Sequence, residues 1–110
     1  MRRVTTLLVL TNLPDQAAAQ SLAERLVAAR LAACVNILAP CRSVYRWQGE
    51  VETADEVPLL IKTRAERFAD LAVAIRASHP YELPEVIAID IADGLPEYLA
   101  WVAAETAPSA

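Results

Sequence analysis

The chain has 110 residues, 55% of them hydrophobic, and its 10 Lys and Arg against 14 Asp and Glu give a formal net charge of −4. That size makes one domain with room for a core, although much of the apolar content is Ala, which buries little area per residue. No clustered basic face is present to displace counterions from nucleic acid or to hold an anionic membrane, and no apolar run is long enough to span a bilayer.

The first predicted element is a short, β-branched and aliphatic strand, Val4 to Leu10, suited to the centre of a sheet. Arg2 and Arg3 before an apolar run resemble the start of a signal sequence. The run is short, however, contains Thr5 and Thr6, and ends in Asn12-Leu13-Pro14-Asp15, so a buried strand is the better reading and the cytoplasm the expected compartment. Asn12 or Asp15 caps a helix that runs to about Arg30, with Ala19, Leu22, Ala23 and Leu26 on its buried face and the stem of Arg30 lying along that face.

Leu31 to Thr63 then reads as two long strands joined at Gln48-Gly49, because Gly adopts positive φ without steric cost. Val35, Ile37, Val44, Tyr45 and Trp47 favour a strand on the first arm. On the second, Val57, Leu59, Ile61 and Thr63 alternate with Glu56, Pro58, Leu60 and Lys62. Pro40 and Pro58 mark edges or bulges. Each arm reaches roughly 45 Å at the usual rise per residue, far beyond the other strands of this chain. Unpaired strand edges invite pairing, and the economical partner is another copy of the same chain.

A second helix spans about Ala65 to Ser78, with Phe68, Leu71, Ala72 and Ile75 as its buried stripe; His79-Pro80 ends it, since a residue before Pro is pushed out of the α region. The last strand is Glu85 to Ile91. Gly94 and Pro96 turn the chain into a final helix, about Glu97 to Glu105, which Tyr98 and Trp101 dock onto the body. Residues 1–106 form the single domain and 107–110 a loose tail. The order is β-α-β-β-α-β plus a terminal helix: an α+β, ferredoxin-like antiparallel sheet with two helices on one face. Cys34 and Cys41 lie about 23 Å apart along one extended arm, too far for a disulfide.

The stretches R-L-A-A-C-V-N-I, S-V-Y-R-W-Q-G-E, L-L-I-K-T, H-P-Y-E-L-P-E and Y-L-A-W-V, in this order over nearly the whole chain, resemble the CutA family of divalent-cation-tolerance proteins. The resemblance implies a ferredoxin-like homotrimer in which long hairpins complete the sheets of neighbouring subunits, and a link to copper and other divalent metals. It also implies an architecture similar to the PII signalling trimers, which bind small effectors between subunits. Family members proposed to bind copper carry a thiol near the end of the first strand and a second histidine before His-Pro-Tyr. Here Thr11 or its neighbour and Ser78 take those places, and only His79 matches.

His79, the one histidine, is a metal-ligand candidate with Glu82 and Glu85, a donor set suited to Cu(II) or Zn(II); the competing reading is a helix-ending ring bonded to a backbone carbonyl. A tight site normally needs three or four protein ligands, and one His with a single carboxylate binds weakly. Tyr45, Trp47, Glu56, Lys62 and Tyr81 are candidates for a ligand cleft between subunits, with Lys62 facing a carboxylate or an anionic ligand, and Val44, Tyr45, Trp47 and Val57 for the trimer interface. Cys34 reads as a small buried hydrophobe and Cys41 as a weak thiol ligand. No catalytic motif is present, so no enzyme is expected. The expected function is a non-catalytic metal-tolerance trimer that binds copper or another divalent ion weakly; a PII-like sensor of a small anionic ligand and a rigid protein scaffold are the alternatives.

Overall fold

The computed structural model describes residues 4–108. One strand carries the architecture: β4, Glu50–Arg64, in which every second side chain from Val57 to Thr63 is buried. It pairs antiparallel with β1, Thr6–Leu13, from Thr6 opposite Arg64 to Leu13 opposite Val57. On its other side lie β2, Cys34–Ile37, and β3, Cys41–Trp47. β5, Ile87–Asp90, adds to the free edge of β1, so the order is β2-β4-β1-β5 with β3 continuing on the β2 side of β4. This is the expected α+β, ferredoxin-like antiparallel sheet.

The helices α1, Gln16–Ala28, and α2, Phe68–Ser78, cover one face. Leu22 and Leu26 from α1 and Leu71 and Ile75 from α2 pack with Leu7, Val9, Leu13, Val57, Leu59 and Ile61 from the sheet. A single 3-10 turn, Ala65–Arg67, precedes α2, and within the expected stripe Phe68 and Ala72 are only half-buried. The opposite face carries Leu8, Leu10 and Leu60, half-buried, beside Ile87 and Ile89, exposed.

Several boundaries differ from expectation for identifiable reasons. β1 runs on to Leu13 because Thr11, Asn12 and Leu13 continue the ladder opposite Leu59, Pro58 and Val57. Its expected start at Val4 moves to Thr6, and residues 1–3 of the N-terminal reading lie outside the described residues. Asp15, not Asn12, caps α1: its Oδ1 accepts the Ala18 N–H at 2.8 Å. The helix stops at Ala28 because Arg30 takes the left-handed region, φ 60°. The Leu31 N–H then reaches the Leu26 carbonyl and the Arg30 N–H the Val27 carbonyl, the two bonds of a Schellman ending, with Arg where Gly is usual. The Arg30 side chain does not lie along the helix. Its Nη2 donates to the Ala104 carbonyl at 2.8 Å, and the Arg64 guanidinium donates to the Ala103 carbonyl. Both carbonyls close α3, Pro96–Glu105, whose last turn has no basic residue of its own.

α3 is docked by these two cations and by the buried Val102, and of the two expected aromatic anchors, Tyr98 and Trp101, Tyr98 meets the Cys34 thiol of β2. Those two rings lie 5.6 Å apart, tilted by 38°, and stay 40% and 43% exposed. The last strand shrinks from the expected Glu85–Ile91 to Ile87–Asp90, where it pairs with β1. Of the expected tail, Ala107 and Pro108 follow α3, while residues 109 and 110 lie outside the described residues.

The hairpin turns at Gln48 (φ 50°) and Gly49 (φ 84°), both in the positive region that a type I′ turn demands. Its first arm breaks into β2 and β3 at Pro40: Leu38, Ala39 and Pro40 stand opposite only Val57 and Pro58, one residue more than the partner. Pro58 does not interrupt β4. Its carbonyl accepts the Leu38 N–H at 3.0 Å, so its missing N–H also points toward the bulge, where no ladder bond is needed. The hairpin gives the molecule its long dimension, 49 Å against 25 and 24 Å.

Candidate functional site

Parity along β3 and β4 builds one wall of a pocket. Ser43, Tyr45 and Trp47 share a face of β3, and their partners Ala54, Glu52 and Glu50 share that face of β4 with Glu56. The second wall is the loop after α2. There His79 acts as a clamp. The Tyr81 backbone N–H can only donate, so His79 Nδ1, 3.1 Å away, is the acceptor; Nε2 then carries the proton and donates to the Asn12 carbonyl at 2.6 Å. The ring is 9% exposed and lies against the Tyr81 ring at 4.7 Å. The loop is thereby tied to the end of β1, and Asn12 Nδ2 also donates to Glu85 Oε1 at 3.3 Å.

Between these walls is a cavity of about 680 Å³, lined by Asn12, Tyr45, Trp47, Glu52, Glu56, Tyr81, Glu82 and Glu85 among others. Among the described residues, three aromatic rings and four carboxylates border it, and none that lines it is Lys or Arg. Burial and then the neighbouring Glu56 carboxylate push the Tyr81 phenol up to about 12, because both disfavour a phenolate. The pocket therefore presents neutral hydroxyl, ring faces and negative charge.

Of the expected cleft residues, Tyr45, Trp47, Glu56 and Tyr81 meet here. Lys62 does not: within the subunit it lies six residues further along β4, roughly 20 Å away. Its Nζ bonds Asn36 Oδ1 and sits 4.0 Å from Cys34 Sγ. Burial and then the Cys34 thiol raise the Tyr98 phenol at this same end. Of the expected metal set, Glu82 and Glu85 line the pocket, but His79 has both ring nitrogens bonded and no lone pair free in this arrangement. Among the described residues, no three His, Cys, Asp or Glu side chains converge as a metal cluster. Of the residues expected between subunits, Val57 sits in its own core opposite Leu13, because its parity on β4 points it at the helices. Val44, Tyr45 and Trp47 keep exposed or half-exposed surface. Cys34 and Cys41 are both free, Cys34 half-buried and Cys41 exposed. Glu52 and Asn12 escaped the sequence reading. The parity of Glu52 with Glu56, and its place opposite Tyr45, are the signal that finds it.

A family model described as CutA1 divalent ion tolerance protein matches residues 7–105. The divalent-cation tolerance protein CutA of Thermus thermophilus is 46% identical over 98 residues, 89% of this chain and 95% of that one. Among solved structures, CutA1 from Oryza sativa superposes with a TM-score of 0.92 at 40% identity, covering 96% of this chain and 97% of that one. CutA from Xylella fastidiosa superposes at 0.89 with 44% identity, covering 92% and 97%. With a match across nearly its whole length in both sequence and fold, the chain belongs to the CutA1 divalent ion tolerance family.

Proposed function

We propose that this protein serves in divalent-cation tolerance as a homotrimer, holding copper or another divalent ion weakly and without a catalytic step. The observation that carries the reading is the acidic border of the pocket, where Glu52, Glu56, Glu82 and Glu85 collect with no cationic side chain from the described residues among them. Carboxylates attract divalent cations electrostatically, and Cu(II) heads the affinity order at most oxygen and nitrogen sites. Because the donors do not converge, binding is weak. Glu82 and Glu85 supply oxygen at the rim, and His79 joins them as a ligand only by giving up one of its two hydrogen bonds. The free thiols of Cys34 and Cys41 fit a reducing compartment such as the cytoplasm.

Two surfaces support the trimer: the far half of the hairpin, where Val44 and Val51 are 67% and 66% exposed, and the apolar sheet face of Leu8, Leu10, Leu60, Ile87 and Ile89. The test of the metal reading is calorimetric titration of the native assembly with Cu(II). Saturable binding that weakens severalfold in Glu82→Gln and in Glu85→Gln is expected. Binding untouched by both would move the site elsewhere, with Cys41 the next residue to substitute.

A further inference from the structure

Charge is sorted along one face of β4. Its even-numbered side chains share that face, with Glu50, Glu52 and Glu56 toward the turn and Lys62 and Arg64 at the other end. Leu60 lies between the two groups, and Leu8 and Leu10 of β1 stand opposite Lys62 and Leu60. Arg64 is satisfied within its own chain by Glu66 and the Ala103 carbonyl. Lys62 is half-buried, and its Nζ meets the neutral Asn36 Oδ1 and the Cys34 thiol. Among the described residues it joins no ion pair. Glu56 is its counterpart: half-buried beside the Tyr81 phenol, and likewise in no ion pair among the described residues. Within one chain the two cannot meet, being roughly 20 Å apart along a single strand. Contact between copies would desolvate both, and a charge buried without its counterion is costly. Glu56 borders the far half of the hairpin, and Lys62 the apolar sheet face; these are the two surfaces that support the trimer.

We propose that Lys62 of the partner subunit enters the pocket and pairs with Glu56, making the pocket a composite site that is complete only in the assembly. The inference rests on the trimer reading. Each subunit gives its Lys62 to one neighbour and receives that of the other, the head-to-tail contact of a closed ring. Beside Tyr45, Trp47 and Tyr81 the incoming ammonium also meets ring faces, which attract cations through their quadrupole. The pairing leaves Glu82 and Glu85, on the opposite wall, for a divalent ion. Cys34 and Tyr98, which lie beside Lys62, come with it to the rim of the same site.

The test is a charge swap, read as the concentration at which the assembly dissociates in sedimentation. Lys62→Glu sets a carboxylate against Glu56, and Glu56→Lys sets two ammonium groups together; each should weaken assembly by about tenfold or more. The chain carrying both substitutions restores the pair with its poles reversed and should assemble within about threefold of the parent. Losses that simply add in the double variant would overturn the proposal. A second measurement does not depend on the swapped charges being tolerated. Chains with Glu56→Cys and chains with Lys62→Cys, both in a Cys34→Ser, Cys41→Ser background, are co-expressed and treated with a short bismaleimide. A covalent pair of chains is expected from the mixture and from neither variant alone. An assembled mixture that yields no such pair contradicts the contact. The mass of the parent separates this inference from the reading beneath it: a trimeric parent with additive losses keeps the trimer and removes only the shared pair, whereas a folded parent of single-chain mass removes both.

Discussion

The two halves of β4 share one backbone geometry and have opposite surroundings. From Val57 to Thr63 the strand has neighbours on both sides, β1 and β2, and its odd-numbered side chains are buried under two helices. From Glu50 to Asp55 it has only β3 for a neighbour, and no residue is buried. Sequence alternation explains the first half. The second half holds its shape from a type I′ turn and a two-stranded ladder, which in isolation is marginal in water. Strand length alone therefore does not say where a core is; the number of neighbours does, and the far half lacks neighbours within its own chain.

The largest expected effect is on the core half. Leu59→Ala or Ile61→Ala should cost about 2–5 kcal/mol of stability, read from denaturant unfolding, because both side chains are fully buried. A loss under about 1 kcal/mol would erase the contrast between the two halves. Next, Val44→Lys combined with Val51→Lys should break assembly, because each charge would have to be desolvated at a contact between copies. Size-exclusion chromatography with light scattering should record a fall in mass, whereas an unchanged assembly would mean that the far half faces solvent in the native state.

His79→Ala comes third. It leaves the Asn12 carbonyl and the Tyr81 N–H without their partner, at about 1–3 kcal/mol. Hydrogen exchange at the Tyr81 amide should quicken while amides in β4 between Val57 and Thr63 hold; uniform exchange would show that the clamp is no separate unit. The smallest effect is on alkaline stability. The Tyr81 phenol is raised from 10 to about 12, so folding favours its protonated form. That contribution is fully present below pH 10 and is lost as pH rises through about 12. Tyr98 is shifted in the same direction and adds to the slope. Tyr81→Phe should therefore flatten the fall in stability over this window, measured by urea unfolding at several pH values, and an unchanged slope would remove Tyr81 as its source.

Much of this was legible in the residues. Period-2 alternation at Val57–Thr63 gave the core strand, Gln48-Gly49 the turn and His79-Pro80 the end of α2. Parity joined Tyr45 to Trp47, and both are in the pocket. What sequence could not convey was register. That Lys62 lies far from Glu56 within one chain was readable, since five residues of a single strand separate them, but whether Val57 faces a partner or the core depends on which face the helices cover. The His79 clamp was legible in kind, as a helix-ending ring bonded to a backbone carbonyl, but its acceptor was not, because that carbonyl belongs to Asn12, 67 residues away. Arg30 in the left-handed region, reaching the end of α3, ran against the expectation of Gly at such a position.

Whether the far half of the hairpin is completed by other copies of the chain is decided by mass in solution. Sedimentation equilibrium at micromolar concentration should return three times the chain mass, with no folded monomer on dilution into the nanomolar range until unfolding begins. A stable, folded species of single-chain mass would contradict the reading of Val44, Tyr45, Trp47 and Val51 as a surface made for another subunit.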